Sequence, residues 1–286
     1  MDLPRIVITG AGGQVGRFLA GQAARHGHDV RAFTSAQWDI TDPNAAERSV
    51  GPGDVVVNCA AYTAVDTAET DEARAHAVNA DGAANIARAC ARVGARLIHI
   101  STDYVFSGVF ENAPRPYDVD DPTGPLSVYA RTKLAGEQAV HAALPGAHVV
   151  RTAWVYTGVG GDFVATMLSK ARGDGPVDVV ADQIGSPTYV GDLVAALLQL
   201  AAGQIAAPLL HAANDGAVSR YEQARAVFAG VGADPERVRP VGSAQYPRPA
   251  PRPAYSALSG RKSAAAGLPP LRPWRDALAD ALRTAR

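Results

Sequence analysis

The chain has 286 residues, of which 47% are hydrophobic and 19% charged, so it can bury one large core or two adjoining ones. Its formal net charge of −1 argues against nucleic acid or an anionic membrane surface as a partner and favours a small ligand. The first residues form no charged, apolar leader and no run of 18 apolar residues occurs, so we expect a cytoplasmic protein. The two cysteines, Cys59 and Cys90, lack companions at metal-ligand spacing and are interpreted as buried thiols.

The first half of the chain alternates short apolar runs with longer helical stretches. Strands are predicted at residues 5–9, 29–33, 54–58, 96–101 and 148–152. Helices are predicted between them at residues 14–25, 43–50, 71–92 and 128–143. Continuous apolar strands separated by helices are typical of a parallel sheet covered on both faces, so the pattern predicts a doubly wound α/β fold.

A glycine-rich loop follows the first predicted strand and leads directly into the first predicted helix. Its glycines have the spacing G-x-x-G-x-x-G, because Val15 stands where the last glycine of the usual dinucleotide fingerprint would fall. Such glycines allow close approach of the backbone to a diphosphate, and the helix N-terminus supplies free N–H groups. We therefore predict a Rossmann-type dinucleotide site with contacts from Gly10, Gly13, Gln14, Val15 and Gly16.

The second predicted strand bears on the choice of cofactor. It ends at Phe33 without the Asp or Glu that would hold the ribose 2′-hydroxyl of NAD, which favours NADPH. Arg31 lies one or two residues too early to bind a 2′-phosphate, so NADH stays an alternative. Asp39 and Ile40 are predicted to lie beside the adenine.

Hydroxyl, phenol and ammonium groups are predicted to meet near the cofactor. Ser101 and Thr102 end the fourth strand, and ligands of open α/β sheets gather at the carboxyl ends of the strands. Tyr129 and Lys133 share a helix face, where an ammonium would lower the pKa of a phenol. Taken alone, this pair could equally be an exposed helix pair, and the hydroxyls could be turn caps. Lysine is nevertheless rare here, with three lysines against 24 arginines.

After Thr152 the alternation weakens and glycine and proline become more frequent. Helices are predicted near residues 163–172, 192–202, 221–229 and 274–283. The segment 247–253 has a proline at every second position, so it cannot be helical and is either a linker or the rigid wall of a ligand pocket.

Seven stretches resemble the extended short-chain dehydrogenase/reductase family and, within it, the dTDP-4-dehydrorhamnose reductases. The glycine loop at 10–16 and the Tyr-x-x-x-Lys stretch at 129–137 mark only the superfamily, and residues 39–42 match as well. The more specific stretches are VNCAAYTAVD at 57–66, STDYVFSG at 101–108, RTAWVY at 151–156 and DQIGSPT at 182–188. The resemblance runs from residue 5 to about residue 282. It implies an NAD(P)-binding domain of residues 1–153 and about 190–213, with a smaller, discontinuous C-terminal sugar-nucleotide-binding domain of about 154–189 and 214–286.

The resemblance also implies a reaction, the reduction by NAD(P)H of the C4 keto group of dTDP-4-dehydro-L-rhamnose to dTDP-L-rhamnose. Tyr129 would donate the proton, Lys133 would hold the nicotinamide ribose and lower the tyrosine pKa, and Thr102 would orient the carbonyl. Asp103 and Trp154 would contact the sugar nucleotide together with Thr102. Ala61, Tyr62 and Thr63 would contact the cofactor.

Four departures from the family pattern limit these expectations. Phe18 stands at the position of a metal-binding glutamate of some relatives, so we expect no metal and either a monomer or a weak, metal-independent dimer. Asp162 and Tyr255 replace common asparagines, and the loop between residues 102 and 129 is longer, so a 4-ketoreductase for another dTDP-4-keto-6-deoxyhexose is the alternative. A non-catalytic cofactor-binding subunit is a remote alternative, because the tyrosine and the lysine are both retained.

Overall fold

A computed structural model describes residues 3–284, so the parts of the predictions that concern residues 1–2 and 285–286 lie outside the described residues. The helices are α1 (Gln14–Arg25), α2 (Pro43–Ser49), α3 (Val65–Ala68), α4 (Glu72–His76), α5 (Ala83–Val93), α6 (Val128–Ala143), α7 (Phe163–Ala171), α8 (Val190–Ala201), α9 (Arg220–Gly230), α10 (Arg261–Ala265) and α11 (Trp274–Thr284). The strands are β1 (Ile6–Thr9), β2 (Val30–Phe33), β3 (Val55–Asn58), β4 (Arg96–Thr102), β5 (His148–Thr152), β6 (Val155–Tyr156), β7 (Val177–Val180), β8 (Ile184–Gly185), β9 (Thr188–Tyr189), β10 (Leu209–His211), β11 (Val218–Ser219) and β12 (Val238–Val241).

Six strands form one parallel sheet in the order β2-β1-β3-β4-β5-β10. One apolar cluster packs α1 and α8 on one face, and a second packs α2, α5 and α6 on the other. The predicted Rossmann-type doubly wound sheet is therefore confirmed. Because the order reverses between β1 and β3, the loops after these strands diverge and leave a crevice at the carboxyl edge of the sheet.

The predicted elements of the first half lie within one residue of the observed ones. The helix predicted over 71–92 consists of α4, a π-helical segment at Ala77–Gly82 and α5 in unbroken succession. Strand β10 was not predicted, since three residues carry too little pattern to be distinguished from a loop.

The second half of the chain builds a smaller body at the same edge of the sheet. Helices α7, α9 and α11 pack around a third apolar cluster with the strand pairs β6–β9, β7–β12 and β8–β11. The proline-rich segment is neither helix nor strand, and it is anchored, because Arg252 forms a bidentate ion pair with Asp66 at 2.5 and 3.0 Å. That anchor argues against a free linker. Within residues 3–284, no helix is both long and apolar enough to cross a bilayer.

Candidate active site

A cavity of about 800 Å³ opens at the crevice where the strand order reverses. It is lined by the predicted cofactor, substrate and catalytic residues with the exception of Gly16. These lining residues are Gly10, Gly13, Gln14, Val15, Asp39, Ile40, Ala61, Tyr62, Thr63, Thr102, Asp103, Tyr129, Lys133 and Trp154. Residues spread over most of the first 154 positions therefore converge on one site.

The glycine loop at one end of the cavity leaves no space for a side chain at Gly10 or at Gly16. Gly10 has φ +66°, and a Cβ there would lie 2.6 Å from the backbone nitrogen of Ala60. A Cβ on Gly16 would lie 2.5 Å from the carbonyl oxygen of Gly10, so this glycine packs α1 against the loop and does not line the cavity. Gly13 caps α1 without a side-chain hydrogen bond. The first N–H groups of α1 thus have no side-chain cap, which fits a helix N-terminus that binds a dinucleotide diphosphate.

The loop after β2 lines the same cavity. Trp38 is buried edge-on against Phe33, with ring centroids 5.4 Å apart. Hydrogen bonds from the backbone and side chain of Thr41 hold the pKa of Asp39 below its usual value. Four further lining residues carry no motif that would predict their role and are brought here by the fold: Thr34, Ser35, Trp38 and Arg74.

Tyr129 lies in the first turn of α6, whose N-cap hydroxyl, on Ser127, accepts from the backbone N–H of Ala130. Burial raises the pKa of the Tyr129 phenol, and a hydrogen bond with Thr102 opposes this shift. The expectation that Lys133 lowers this pKa is wrong for this structure. Burial dominates here, and the ammonium is directed elsewhere. The phenol is therefore protonated at neutral pH.

Lys133 lies on the Tyr129 face of α6, as predicted, and is 2% exposed. Its Nζ donates to the carbonyl oxygen of Ile100 at 2.6 Å and lies 3.5 Å from Nε2 of His99. Burial lowers the pKa of Lys133 to about 8, while Glu137 and Cys59 act in the opposite direction. The lysine is thus close to changing its charge at physiological pH.

Ser101 lines the cavity, but its hydroxyl is engaged by a buried carboxylate. Its hydroxyl donates to Oε1 of Glu137 at 2.5 Å, and the same carboxylate pairs with Arg151 at 2.9 and 2.7 Å. All three side chains are buried. The hydroxyl of Ser101 thus serves a buried carboxylate that requires donors, and its approach to the nicotinamide stays a prediction.

The end of the cavity that follows β4 carries a buried carboxylate. Asp103 accepts hydrogen bonds from Ser256 at 2.5 Å and from Thr102 at 3.1 Å. Burial raises the pKa of Asp103 to about 6, and these two hydrogen bonds act in the opposite direction. Ser256 belongs to the second half of the chain, so this carboxylate joins the two halves.

Trp154 lies between β5 and β6 and has φ +46°, an uncommon conformation for a residue other than glycine. Its ring centroid lies 3.6 Å from the guanidinium carbon of Arg220, at the start of α9. A Cβ on Gly185 would come within 2.5 Å of the same ring. Arg220 was not singled out from the sequence, since it is distant in the chain and carries no local motif, whereas Gly185 belongs to the matching stretch at 182–188.

The residues that depart from the family pattern have structural partners. Phe18 packs edge-on against Tyr189 at 6.3 Å. Asp162 caps α7 and accepts from Nε2 of Gln14 at 2.9 Å, and Tyr255 packs against Phe110. Within residues 3–284 no group of three or more His, Cys, Asp or Glu side chains is arranged to hold a metal.

The two thiols differ in position. Cys90 is buried in α5, whereas Cys59 follows β3 and lines the cavity. Burial raises the pKa of each thiol to about 12, so neither is a thiolate at neutral pH.

Comparison with known proteins agrees with this geometry. The family model described as the RmlD substrate binding domain matches residues 4–286. A dTDP-4-dehydrorhamnose reductase of Mycobacterium tuberculosis is 68% identical over 280 residues, covering 97% of this chain and 92% of that protein. A probable dTDP-4,6-dihydroxy-2-methyloxan-3-one 4-ketoreductase of Streptomyces antibioticus is 47% identical and covers 97% of this chain and 94% of that protein.

The fold is also that of a solved relative. The crystal structure of dTDP-4-dehydrorhamnose reductase from Bacillus anthracis in complex with NADP superimposes with a TM-score of 0.92 at 34% identity. The match covers 99% of this chain and 100% of that one. The chain therefore belongs to the RmlD family, the family of the dTDP-4-dehydrorhamnose reductases.

Proposed function

We propose that this protein reduces the C4 keto group of dTDP-4-dehydro-L-rhamnose to dTDP-L-rhamnose with NADPH. The observation that carries the proposal is the convergence of Thr102, Tyr129 and Lys133 on one cavity that is also lined by the 10–16 glycine loop. The 68% identical relative has this activity by name, and the Bacillus anthracis relative is described in complex with NADP. NADH is the alternative donor.

The proposed chemistry assigns the proton to Tyr129. The reduced nicotinamide supplies a hydride when it is bound. The phenol of Tyr129 donates its proton to the oxygen that develops negative charge, and its raised pKa keeps it protonated until that moment. Thr102, which opposes the rise in the pKa of this phenol, orients the carbonyl oxygen towards it. Lys133 holds the nicotinamide ribose.

The remaining lining residues divide between the two ligands. The backbone of the 10–16 loop would hold the diphosphate, Asp39 and Ile40 the adenosine, and residues 61–63 the nicotinamide half of the cofactor. Asp103 and Trp154 would contact the sugar nucleotide. At the end of the cavity that follows β4, polar groups are buried. A sugar hydroxyl that pairs with them would be favoured, because a buried polar group without a hydrogen-bond partner costs free energy.

The division of labour between the two halves of the chain is also a proposal. Residues 1–153 and about 190–213 would form the cofactor domain, and about 154–189 and 214–286 the sugar-nucleotide domain. Two observations support it: β10 pairs with β5 in the main sheet, and α8 packs on the same apolar cluster as α1. We propose a cytoplasmic enzyme that is a monomer or a weak dimer formed without metal.

A second candidate is a 4-ketoreductase for another dTDP-4-keto-6-deoxyhexose. It is favoured by Asp162 and Tyr255, which replace common asparagines, and by the 47% identical Streptomyces antibioticus relative with a 4-ketoreductase name. A panel of dTDP-4-keto sugars at equal concentration would rank the two candidates by kcat/KM.

The test of the main proposal is direct. Purified protein is incubated with dTDP-4-dehydrorhamnose and NADPH, and cofactor oxidation is followed together with the sugar product. Tyr129→Phe should bind NADPH normally and lose roughly 100-fold to 10,000-fold in turnover, since general acid catalysis supplies that much. Tyr246→Phe, at an exposed phenol, is the matched control. Absence of dTDP-rhamnose with the unaltered protein, or normal turnover by Tyr129→Phe, would contradict the proposal.

A further inference from the structure

A buried row of polar side chains runs from the glycine loop to Lys133. Thr9, Asn58 and His99 are paired neighbours on β1, β3 and β4, and each is at most 1% exposed. The Thr9 hydroxyl donates to Oδ1 of Asn58 at 2.7 Å, Nδ2 of Asn58 lies 2.9 Å from Nδ1 of His99, and Nε2 of His99 lies 3.5 Å from Nζ of Lys133.

This row fixes the orientation of the Asn58 amide. The backbone N–H of Ala60 points at one side-chain atom of Asn58 at 3.1 Å, and an N–H can only donate. That atom must be the oxygen, which also accepts from Thr9. The other atom is the amide nitrogen, and it faces His99 as a donor.

The amide in turn fixes the tautomer of His99. A ring nitrogen that accepts a hydrogen bond carries no proton, so Nδ1 of His99 is unprotonated. Burial, followed by the charge of Lys133, keeps the pKa of His99 well below its usual value, so the ring is neutral. Its one proton is therefore on Nε2, the atom that faces Lys133. An N–H dipole directed at an ammonium disfavours the charged form of the lysine.

We infer that His99 is a positioning residue that presents an Nε2–H to Lys133 and favours the uncharged amine. An uncharged Nζ has a lone pair that accepts this N–H, while one of its own hydrogens continues to bond the Ile100 carbonyl oxygen. Lys133 is then a group that exchanges its proton near neutral pH and not a permanent cation. The inference deepens the proposed function, on which its catalytic meaning rests.

Other charged and titratable groups near Lys133 do not replace this effect. Glu137 and Tyr129 are on its own helix, and Arg151 of β5 pairs with Glu137 and so limits the influence of that carboxylate. Cys59, beyond the end of β3, carries a neutral thiol whose pKa burial raises to about 12. His99 is thus the neighbour whose hydrogen position decides whether Lys133 meets a donor or an acceptor.

The experiment is an NMR titration of the full chain without substrate. Three lysines give three ¹³Cε signals under lysine labelling, and Lys170→Arg and Lys262→Arg leave Lys133 as the signal common to both. ¹⁵N-labelled histidine reports the tautomer of His99, assigned with His99→Gln, while His148 serves as an internal reference. The expected result is an Nε2–H ring at His99 and a Lys133 pKa well below that of the other two lysines.

Asn58→Ala tests the cause. Without the amide donor, the ammonium selects the other tautomer, so we expect His99 to carry its proton on Nδ1 and the Lys133 pKa to rise by about one unit or more. Thr9→Val is the matched control, because the Ala60 N–H still orients the amide, and neither signal should move.

Two outcomes would overturn the inference: an Nδ1–H ring at His99 in the unaltered protein, or an unchanged Lys133 pKa in Asn58→Ala. If that variant does not fold, the unaltered protein's tautomer and lysine titration decide alone. Failure to reduce dTDP-4-dehydrorhamnose would refute the proposed function and leave both NMR results standing.

Discussion

Asp103→Asn should change how the stability of the protein depends on pH. Asp103 is 2% exposed, and burial raises its pKa to about 6 from 3.8. The folded protein therefore binds this proton more tightly than the unfolded chain does. A group of this kind stabilises the fold fully below its unfolded pKa, and the contribution is lost as the pH rises through the folded pKa. The variant has no carboxyl at this position and escapes the loss.

The size of the effect follows from the two pKa values. Their difference corresponds to about 3 kcal/mol in total, at about 1.4 kcal/mol for each pKa unit. Part of the loss occurs below about pH 5, where the unfolded carboxyl already ionises. Between about pH 5 and pH 7.5 the free energy of unfolding of the unaltered protein should fall by about 1.4 kcal/mol relative to the variant.

Urea unfolding of both proteins at several pH values measures this difference directly. Burial lowers the pKa of the buried histidines His99, His148 and His211, so their protonation in the unfolded chain also changes stability in this range, but they are common to both proteins and cancel in the difference. Asp174→Asn, at an exposed carboxylate, is the matched control. Its free energy of unfolding should differ from that of the unaltered protein by the same amount at every pH. A constant difference for Asp103→Asn, or one that moves in the opposite direction, would refute the reasoning that burial dominates this carboxyl.

The sheet was predictable because its signal is local. A continuous apolar run such as Val55–Asn58 predicts a strand by itself, and a long helical pattern such as Val128–Ala143 predicts a helix by itself. In both cases the residues within the segment also show where the element begins and ends. The two-residue strands of the second half, such as Ile184–Gly185 and Val218–Ser219, have no such signal, because they form only when distant segments pair. Sequence reasoning therefore found the sheet that carries the site and the longer helices of the body that covers it, and it missed the short strand pairs of that body.

The sequence predicts which residues meet at the site, but it does not predict how their pKa values are shifted. Helical spacing places Tyr129 and Lys133 on one face, and strand ends place Thr102 beside them. The direction of the tyrosine pKa shift depends on how completely the phenol is covered by other segments, and spacing carries no such information. The orientation of Ser101 likewise depends on Glu137, 36 positions away, which needs donors once it is buried.

Two further predictions concern the packing of α6 against its neighbours. In Gly136→Ala the new Cβ would lie 2.1 Å from the carbonyl oxygen of Asn79, so we expect a loss of about 3 kcal/mol or more, whereas Gly146→Ala has open space and should be neutral in thermal unfolding. Glu137→Gln leaves the guanidinium of Arg151 buried without its counter-charge, and its free energy of unfolding should fall by about 3 to 5 kcal/mol at neutral pH. Combining Glu137→Met with Arg151→Met removes both charges, so most of that loss should be recovered. Two results would show that an unpaired buried charge does not reduce stability here. The first is a Glu137→Gln variant that is as stable as the unaltered protein, and the second is a double variant that is less stable than Glu137→Gln.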